Sequence, residues 1–150
     1  MLTTKTRNYI TKILVDCMFY GGIAACIALP FIMPWLLRFI GASPEMRLEY
    51  TVILMASGIP AVYIVYQLKC MFKTLVGGNP FVAQNVSALR HAAVASAVIA
   101  AVYIVRLVMW FTIAAAIIVI IFALLSLFSL TLKDLFKQAI AYKEETDWTV

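Results

Sequence analysis

Long apolar runs alternate with short polar stretches along this chain, and the runs have the length of membrane-spanning helices. The first two extend over about 9–37 and 50–72, and between them Gly41, Ser43 and Pro44 mark a short turn. A helix needs about 20 apolar residues to cross a bilayer. The pattern therefore predicts two membrane spans joined by a short polar connection.

The second half of the chain holds a longer apolar run. Between positions 92 and 132 the sole charged residue is Arg106, and neither glycine nor proline occurs. A single helix of that length would extend for about 60 Å, twice the thickness of the hydrocarbon core of a bilayer. We therefore predict a turn between Arg106 and Thr112, which gives spans over about 90–110 and 112–133.

The connection between the second and third spans, residues 73–90, combines a helix stop with a helix start. Gly77 and Gly78 are expected to end the second helix. Asn79 is then suited to be the N-cap of the next helix and Pro80 its first residue, because proline needs no N–H at that position. We expect this helix to lead directly into the third span.

The chain after the fourth span, residues 134–150, also begins with a helical pattern. Its apolar residues fall on one stripe: Leu135, Phe136, Ala139 and Ile140. This spacing predicts an amphipathic extension of about three turns beyond the membrane.

Composition and charge define the class of protein. Hydrophobic residues make up 65% of the chain and charged residues 13%, which leaves no room for a soluble domain beside the spans and predicts one domain over 1–150. Nine basic residues flank the spans on the side of the termini: Lys5, Arg7, Lys12, Lys69, Lys73, Arg90, Lys133, Lys137 and Lys143. Three lie on the other side: Arg38, Arg47 and Arg106.

By the positive-inside rule this asymmetry places both termini in the cytoplasm. The predicted fold is thus an all-α membrane protein, a four-helix bundle of transmembrane helices with short cytoplasmic helical extensions. Small residues at four-residue spacing, such as Gly21 with Ala25 and Ala92 with Ser96, offer close-packing surfaces. They suit packing within one chain, and a homodimer is the alternative.

Asp16 and Arg106 are the two candidate functional residues among the polar residues of the predicted spans. Asp16 is the sole carboxylate there, and an acidic group in a membrane helix is a functional candidate. It would be the coupling residue of a small oligomeric transporter or channel subunit. The alternative is a structural carboxylate near the inner surface, paired with Lys12 one turn earlier. Arg106 is expected to reach the lipid phosphates at the outer surface.

No pattern typical of an enzyme is present. The single histidine, His91, has no second histidine, cysteine or carboxylate at ligand spacing, so we predict neither a metal site nor a cofactor. The net charge of +5 comes from cations at the ends of apolar runs rather than on one polar face, so direct nucleic-acid binding is not expected.

Two segments resemble a known family. Gly78, Asn79, Pro80 and Phe81, followed by Asn85 and then Leu89 and Arg90, are similar to its GNPF...N...LR signature, and the ending Glu144, Glu145, Thr146, Asp147, Trp148, Thr149 and Val150 is similar to its usual ending. The family consists of small bacterial four-helix membrane proteins and is catalogued as domain of unknown function 2975. Thr146 and Trp148 stand where Asn or Gln and Leu are common.

The resemblance implies a multi-pass protein of the bacterial inner membrane with no established activity. Family members are similar to proteins encoded next to small helix-turn-helix regulators of the Cro type. We therefore expect a non-enzymatic protein that binds or sequesters such a regulator through a cytoplasmic cap, defined as residues 77–91 and 133–150. The residues expected to form its partner-binding surface are Asn79, Pro80, Phe81, Asn85, Arg90, Glu145 and Asp147.

The physical hypothesis for the cap is that the third and fourth spans form a hairpin that brings the two motifs together. Arg90 would pair with Glu145 or Asp147. Asn79 and Asn85 would hydrogen-bond the backbone of the tail. The alternative is that each motif is a local helix cap or a solvated end.

Overall fold

The computed structural model describes residues 3–149 and consists of long helices joined by short connections. The helices are α1 (Thr4–Phe39), α2 (Arg47–Val76), α3 (Ala83–Met109) and α4 (Ile113–Trp148), with a 3₁₀ turn, Pro44–Met46, before α2. All four helices are long and apolar enough to cross a membrane. The break between α3 and α4 falls at residues 110–112, within the segment where the sequence predicts a turn.

Neighbouring helices run antiparallel, as their side-chain contacts show. Asp16 of α1 contacts Lys69 of α2, and Glu49 of α2 contacts Arg106 of α3. Ser126 of α4 donates a hydrogen bond to the carbonyl of Ala93 of α3. The start of α1, the end of α4 and the α2–α3 connection therefore lie at one end of the molecule, here called the terminal end. The other two connections lie at the opposite end, the loop end.

The backbone of each helix comes close only to the helices that precede and follow it in sequence. Within residues 3–149, no Cα atom of α1 lies within 8 Å of α3 or α4, and none of α2 lies within 8 Å of α4. The row nevertheless curves, because one apolar cavity of about 370 Å³ is lined by all four helices, including Cys26, Gly58, Tyr103 and Phe122. The four helices thus form a curved row around one shared cavity.

Small residues set the spacing between α1 and α2. A Cβ atom added at Gly22 would lie 3.0 Å from Cγ2 of Val62, and one added at Gly58 would lie 3.2 Å from Sγ of Cys26. Gly21 has open space around it, so it does not make the close approach within the chain that was predicted for Gly21 with Ala25. The face of α1 that packs on α2 is shifted by one residue from the predicted face. Gly22 therefore makes the close approach to α2.

The centre of the row lies on α3, which packs on both neighbours. Several of its buried positions are small, among them Ala93, Ser96 and Ala100, and Ser96 is fully buried. Side chains of this size let the backbones of α2 and α4 approach α3 closely. The predicted small-residue stripe of α3 is therefore used inside the chain at these positions.

A side chain of α2 compensates for a proline in α1. The helix continues through Pro34, which has no N–H to donate to the carbonyl of Pro30. The guanidinium of Arg47 donates a hydrogen bond of 3.4 Å to that carbonyl. In an apolar environment an unpaired carbonyl is costly, so Arg47 allows α1 to remain helical at this depth.

Candidate functional site

The α2–α3 connection reverses the chain through two glycines with different roles. Gly77 caps α2 with ordinary helical torsion, whereas Gly78 has φ of +93°, a conformation that side chains other than glycine rarely adopt. The stop after Val76 therefore lies where the sequence predicts it. The start of α3 does not, because its N-cap is Val82 and not Asn79, and Pro80 precedes the helix.

Asn85 explains this shift in the start of α3. Its side-chain amide donates hydrogen bonds to the Pro80 carbonyl at 2.6 Å and to the Thr74 hydroxyl at 2.7 Å. The Pro80 carbonyl is thereby held inside the turn, and the carbonyl of Val82 accepts the first helical bonds instead. Asn85 thus ties the end of α2, the turn and the start of α3 together.

Asn85 is also the most deeply buried residue of the predicted partner-binding surface. It is 1% exposed, so it cannot contact a partner, and it does not bond the tail backbone as predicted. Asn79 is exposed and has no side-chain hydrogen bond within the described part of the chain. The predicted hydrogen bonds from these two asparagines to the tail are therefore wrong.

An aromatic contact joins the first family-like motif to α4. The rings of Phe81 and Phe136 have centroids 5.1 Å apart and an interplanar angle of 57°, which is a favourable packing distance. Phe81 keeps 44% of its surface exposed. The sequence analysis placed Phe136 on an apolar stripe but did not identify its partner. The connection and α4 therefore meet through a hydrophobic contact rather than through charge.

Arg90 does not pair with Glu145 or Asp147 in residues 3–149, which corrects the predicted ion pair. Arg90 lies on the outer groove between α2 and α3, next to His91, whose ring contacts that of Tyr63. Since Ser126 lies beside Ala93, the acidic residues near the end of α4 lie roughly 20–25 Å further along the axis than Arg90. No side chain crosses that distance.

The end of α4 is exposed. The helix continues without a break to Trp148, and every residue from 141 to 149 is exposed. Trp148 itself is 89% exposed. We call residues 137–149 the C-terminal extension. Val150, the last residue of the predicted cap, lies outside the described residues.

The charges of the C-terminal extension oppose its helix dipole. Glu144, Glu145 and Asp147 lie in the last turns, and the last turn contains no basic residue. Carboxylates near a helix C-terminus face the negative end of the dipole, which costs the helix a few tenths of a kcal/mol per charge. The arrangement therefore does not serve the stability of this helix.

Asp16 is paired across the helix interface and not along its own helix. Its carboxylate lies 3.1 Å from Nζ of Lys69 on α2, so the predicted pair with Lys12 is wrong. The Lys69 ammonium also lies over the rings of Phe19 and Tyr20, at 5.0 and 4.7 Å from their centroids. Lys69 is thus held in place by a carboxylate and two aromatic faces.

Arg106 has a partner within the protein as well. Its guanidinium lies 2.8 Å from the carboxylate of Glu49 and donates a hydrogen bond of 3.4 Å to the Tyr50 hydroxyl. The contact of Arg106 with lipid phosphates stays a prediction beside this ion pair with α2. The signal was available in the sequence, because Glu49 begins the second span on the same side.

The two ion pairs bracket an uncharged layer. On α2, Glu49 and Lys69 are separated by 19 residues without a charge, which is about 30 Å along a helix and matches the hydrocarbon thickness of a bilayer. On α1, Asp16 and Arg38 enclose a similar length. Asp16 is therefore at the edge of the apolar layer rather than at its centre.

No clustered ligand set for a metal is found in the described residues, since no group of three or more His, Cys, Asp or Glu side chains is close enough to hold an ion. The arrangement presents helices, interhelical ion pairs and exposed termini. These features define an all-helical protein with four helices that are long and apolar enough to cross a membrane.

The chain belongs to the family described as Protein of unknown function (DUF2975), whose family model matches residues 18–150. The match includes both segments that carry the resemblance. No curated protein and no solved structure matches the chain significantly.

Proposed function

We propose that this protein is a non-enzymatic integral membrane protein of the bacterial inner membrane that docks a small cytoplasmic protein on its terminal end. In this proposal both termini lie in the cytoplasm, as the distribution of lysine and arginine favours. The docking surface is the C-terminal extension together with Phe81. This surface replaces the predicted set, because Asn85 is buried and Arg90 lies on a different groove.

The observation that carries the proposal is the exposed end of α4. A helix whose residues are all exposed over its last two turns gains nothing from packing, and isolated helical turns are marginal in water. Its acidic residues oppose its own dipole. A partner with a basic surface would bind these carboxylates, and Trp148 is the type of residue that anchors interfaces.

The partner proposed is a small helix-turn-helix regulator, on the grounds of the family's genetic context. Such proteins carry a basic surface for the phosphate backbone of DNA. An acidic helix that binds this surface would compete with DNA and hold the regulator at the membrane. The protein would thereby sequester a transcriptional regulator without contacting DNA itself.

The test is a direct binding measurement with purified components. The full chain in lipid nanodiscs is titrated with a purified Cro-type regulator encoded beside a member of this family. Replacing Glu144, Glu145 and Asp147 with glutamine should weaken binding by about 10-fold or more, since interfacial charge pairs contribute on the order of 1–2 kcal/mol or more. Trp148→Ala should weaken it similarly.

The matched control is Arg90→Gln, which removes a charge from the outer groove at the same end of the molecule. It should leave regulator binding unchanged. Equal binding by the wild type and the triple glutamine variant would contradict the proposal.

The alternative function, a transporter or channel subunit that uses Asp16, has less support. Asp16 is neutralised by Lys69 at the edge of the apolar layer, whereas a coupling carboxylate needs access to both sides of the membrane. A proteoliposome flux assay that compares the wild type with Asp16→Asn distinguishes the two functions. Coupled flux that is lost in Asp16→Asn would favour the transporter.

A further inference from the structure

A basic cleft lies between α1 and α2 at the terminal end, apart from the proposed docking surface. It has a volume of about 410 Å³. Its lining consists of Lys12, Val15, Asp16, Tyr66, Lys69, Cys70, Phe72 and Lys73. Three ammonium groups and one carboxylate give the lining a net charge of +2.

The charges of the cleft divide into a fixed pair and two available lysines. The ammonium of Lys69 lies 3.1 Å from the carboxylate of Asp16 and over two aromatic faces. Lys12 and Lys73 have no carboxylate within 4 Å among residues 3–149. Two ammonium groups on adjacent helices therefore face one cleft without a counter-charge inside the protein.

The depth of the cleft indicates what the counter-charge is. The Asp16–Lys69 pair marks the edge of the uncharged layer, and Lys12 and Lys73 lie one turn further towards the terminal end. Lipid phosphates occupy this level of a bilayer, directly outside the hydrocarbon core. The walls below the lysines are apolar or aromatic, with Val15, Tyr66 and Phe72, which suits the glycerol and the first methylenes of a lipid.

We propose that this cleft binds the phosphate group of an anionic phospholipid, with Lys12 and Lys73 as the phosphate contacts and Lys69 held nearby as a fixed positive charge. Basic pockets between spanning helices are a known solution for anionic headgroups. The inference rests on the membrane placement in the proposed function but not on the regulator. Loss of regulator binding would therefore leave it unaffected.

The experiment measures lipid affinity at the site itself. In wild-type protein in a neutral detergent, the labelling rate of Cys70 by a maleimide is followed by mass spectrometry during titration with phosphatidylglycerol or phosphatidylcholine. Cys70 lines the cleft, so phosphatidylglycerol should slow its labelling several-fold, and phosphatidylcholine should not. Cys17, which is exposed on the same helix as Lys12, is the internal control.

The variant arm removes the two phosphate contacts. Lys12→Gln combined with Lys73→Gln should weaken the protection of Cys70 by phosphatidylglycerol by roughly 30-fold, since each lysine near an anionic lipid contributes about fivefold to affinity. Lys12→Arg with Lys73→Arg should retain it. The matched control, Lys137→Gln with Lys143→Gln, removes the same charge from α4 and should change it by less than about threefold.

Two outcomes would overturn the proposal. Equal protection by phosphatidylglycerol and phosphatidylcholine would show that charge does not select the ligand. Protection by inorganic phosphate at the same concentration as the lipid would show that the cleft takes a free anion. The first arm uses only wild-type protein, so a misfolded variant would not leave the question open.

Discussion

Asn85 holds the α2–α3 connection together through hydrogen bonds that no other described residue makes. Its amide reaches both the last turn of α2, at Thr74, and the turn itself, at Pro80. The structure gives a reason for asparagine at this position of the family-like motif, because a short side chain must donate hydrogen bonds inside a buried site. Motif residues that look exposed in a linear sequence can therefore be internal.

We expect Asn85→Ala to lower the free energy of unfolding by about 1–3 kcal/mol, because two buried hydrogen bonds are lost and the Pro80 carbonyl loses a donor. Denaturant titration in a mild detergent, followed by circular dichroism, measures this change. Asn79→Ala is the matched control and should change stability by less than about 0.5 kcal/mol, since its side chain is exposed. Equal effects at the two positions would contradict the structure.

At the scale of the elements, two glycines set the closest approach of α1 and α2. Gly22 and Gly58 allow the two helices to approach until side chains of the opposite helix touch the backbone. Adding one methyl group at either glycine therefore crowds the side chain of the opposite helix. The neighbouring Gly21 faces away from α2 and offers an internal comparison.

Gly22→Ala should destabilise the protein by about 1 kcal/mol or more, because the new Cβ would lie 3.0 Å from Val62. Gly21→Ala should be neutral or slightly stabilising, since alanine favours a helix and nothing lies within 4 Å. Thermal unfolding of the two variants, side by side in one detergent, checks the order. A lower melting temperature for Gly21→Ala than for Gly22→Ala would mean that α1 is rotated differently.

Charge reversal tests the pairing of α2 with α3. Arg106→Glu alone should destabilise the protein, because it places two carboxylates at the site of a 2.8 Å ion pair. Combining it with Glu49→Arg should recover about 1–2 kcal/mol of that loss. By contrast, Glu145→Arg should recover nothing in an Arg90→Glu background, since the two residues lie far apart. If stability recovered only in the Arg90→Glu, Glu145→Arg double variant, the result would support the predicted docked cap and contradict this fold.

Local signals in the sequence predicted the helices and their turns, but not how the helices meet. Gly77 and Gly78 ended α2, and the length limit of a span required the turn at 110–112. The partners of Asp16 and Arg90 depend on helix register and on how far α4 continues, which no local pattern encodes. The predicted N-cap at Asn79 is wrong for the same reason, because the side chain of Asn85 within α3 reorganises the turn and Val82 becomes the N-cap.

At the scale of the whole molecule, the two ends differ in their chemistry. The terminal end carries the basic cleft, the aromatic contact of Phe81 with Phe136, and the C-terminal extension. The loop end carries the pair of Arg106 with Glu49 and two short connections. The candidate binding features therefore lie at the terminal end. The homodimer stays a prediction.

Orientation is testable with single cysteines in a background that lacks the native three. Thr146→Cys in the C-terminal extension and Thr112→Cys in the α3–α4 turn are both exposed. In intact cells an impermeant maleimide should label Cys at 112 and not at 146, and in inverted vesicles the pattern should reverse. The opposite pattern would place the termini outside and remove the basis for a cytoplasmic partner.

The restriction of close backbone approach to sequence neighbours has a consequence for how the protein is made. As each helix leaves the ribosome, its partner for packing is the helix that was synthesised just before it. α1 and α2 can close around Gly22 and Gly58 before α3 exists, and among these neighbour interfaces only that of α3 with α4 must wait for the last helix. Folding of this kind needs few long-range encounters, which keeps incomplete chains from exposing unpaired surfaces for long.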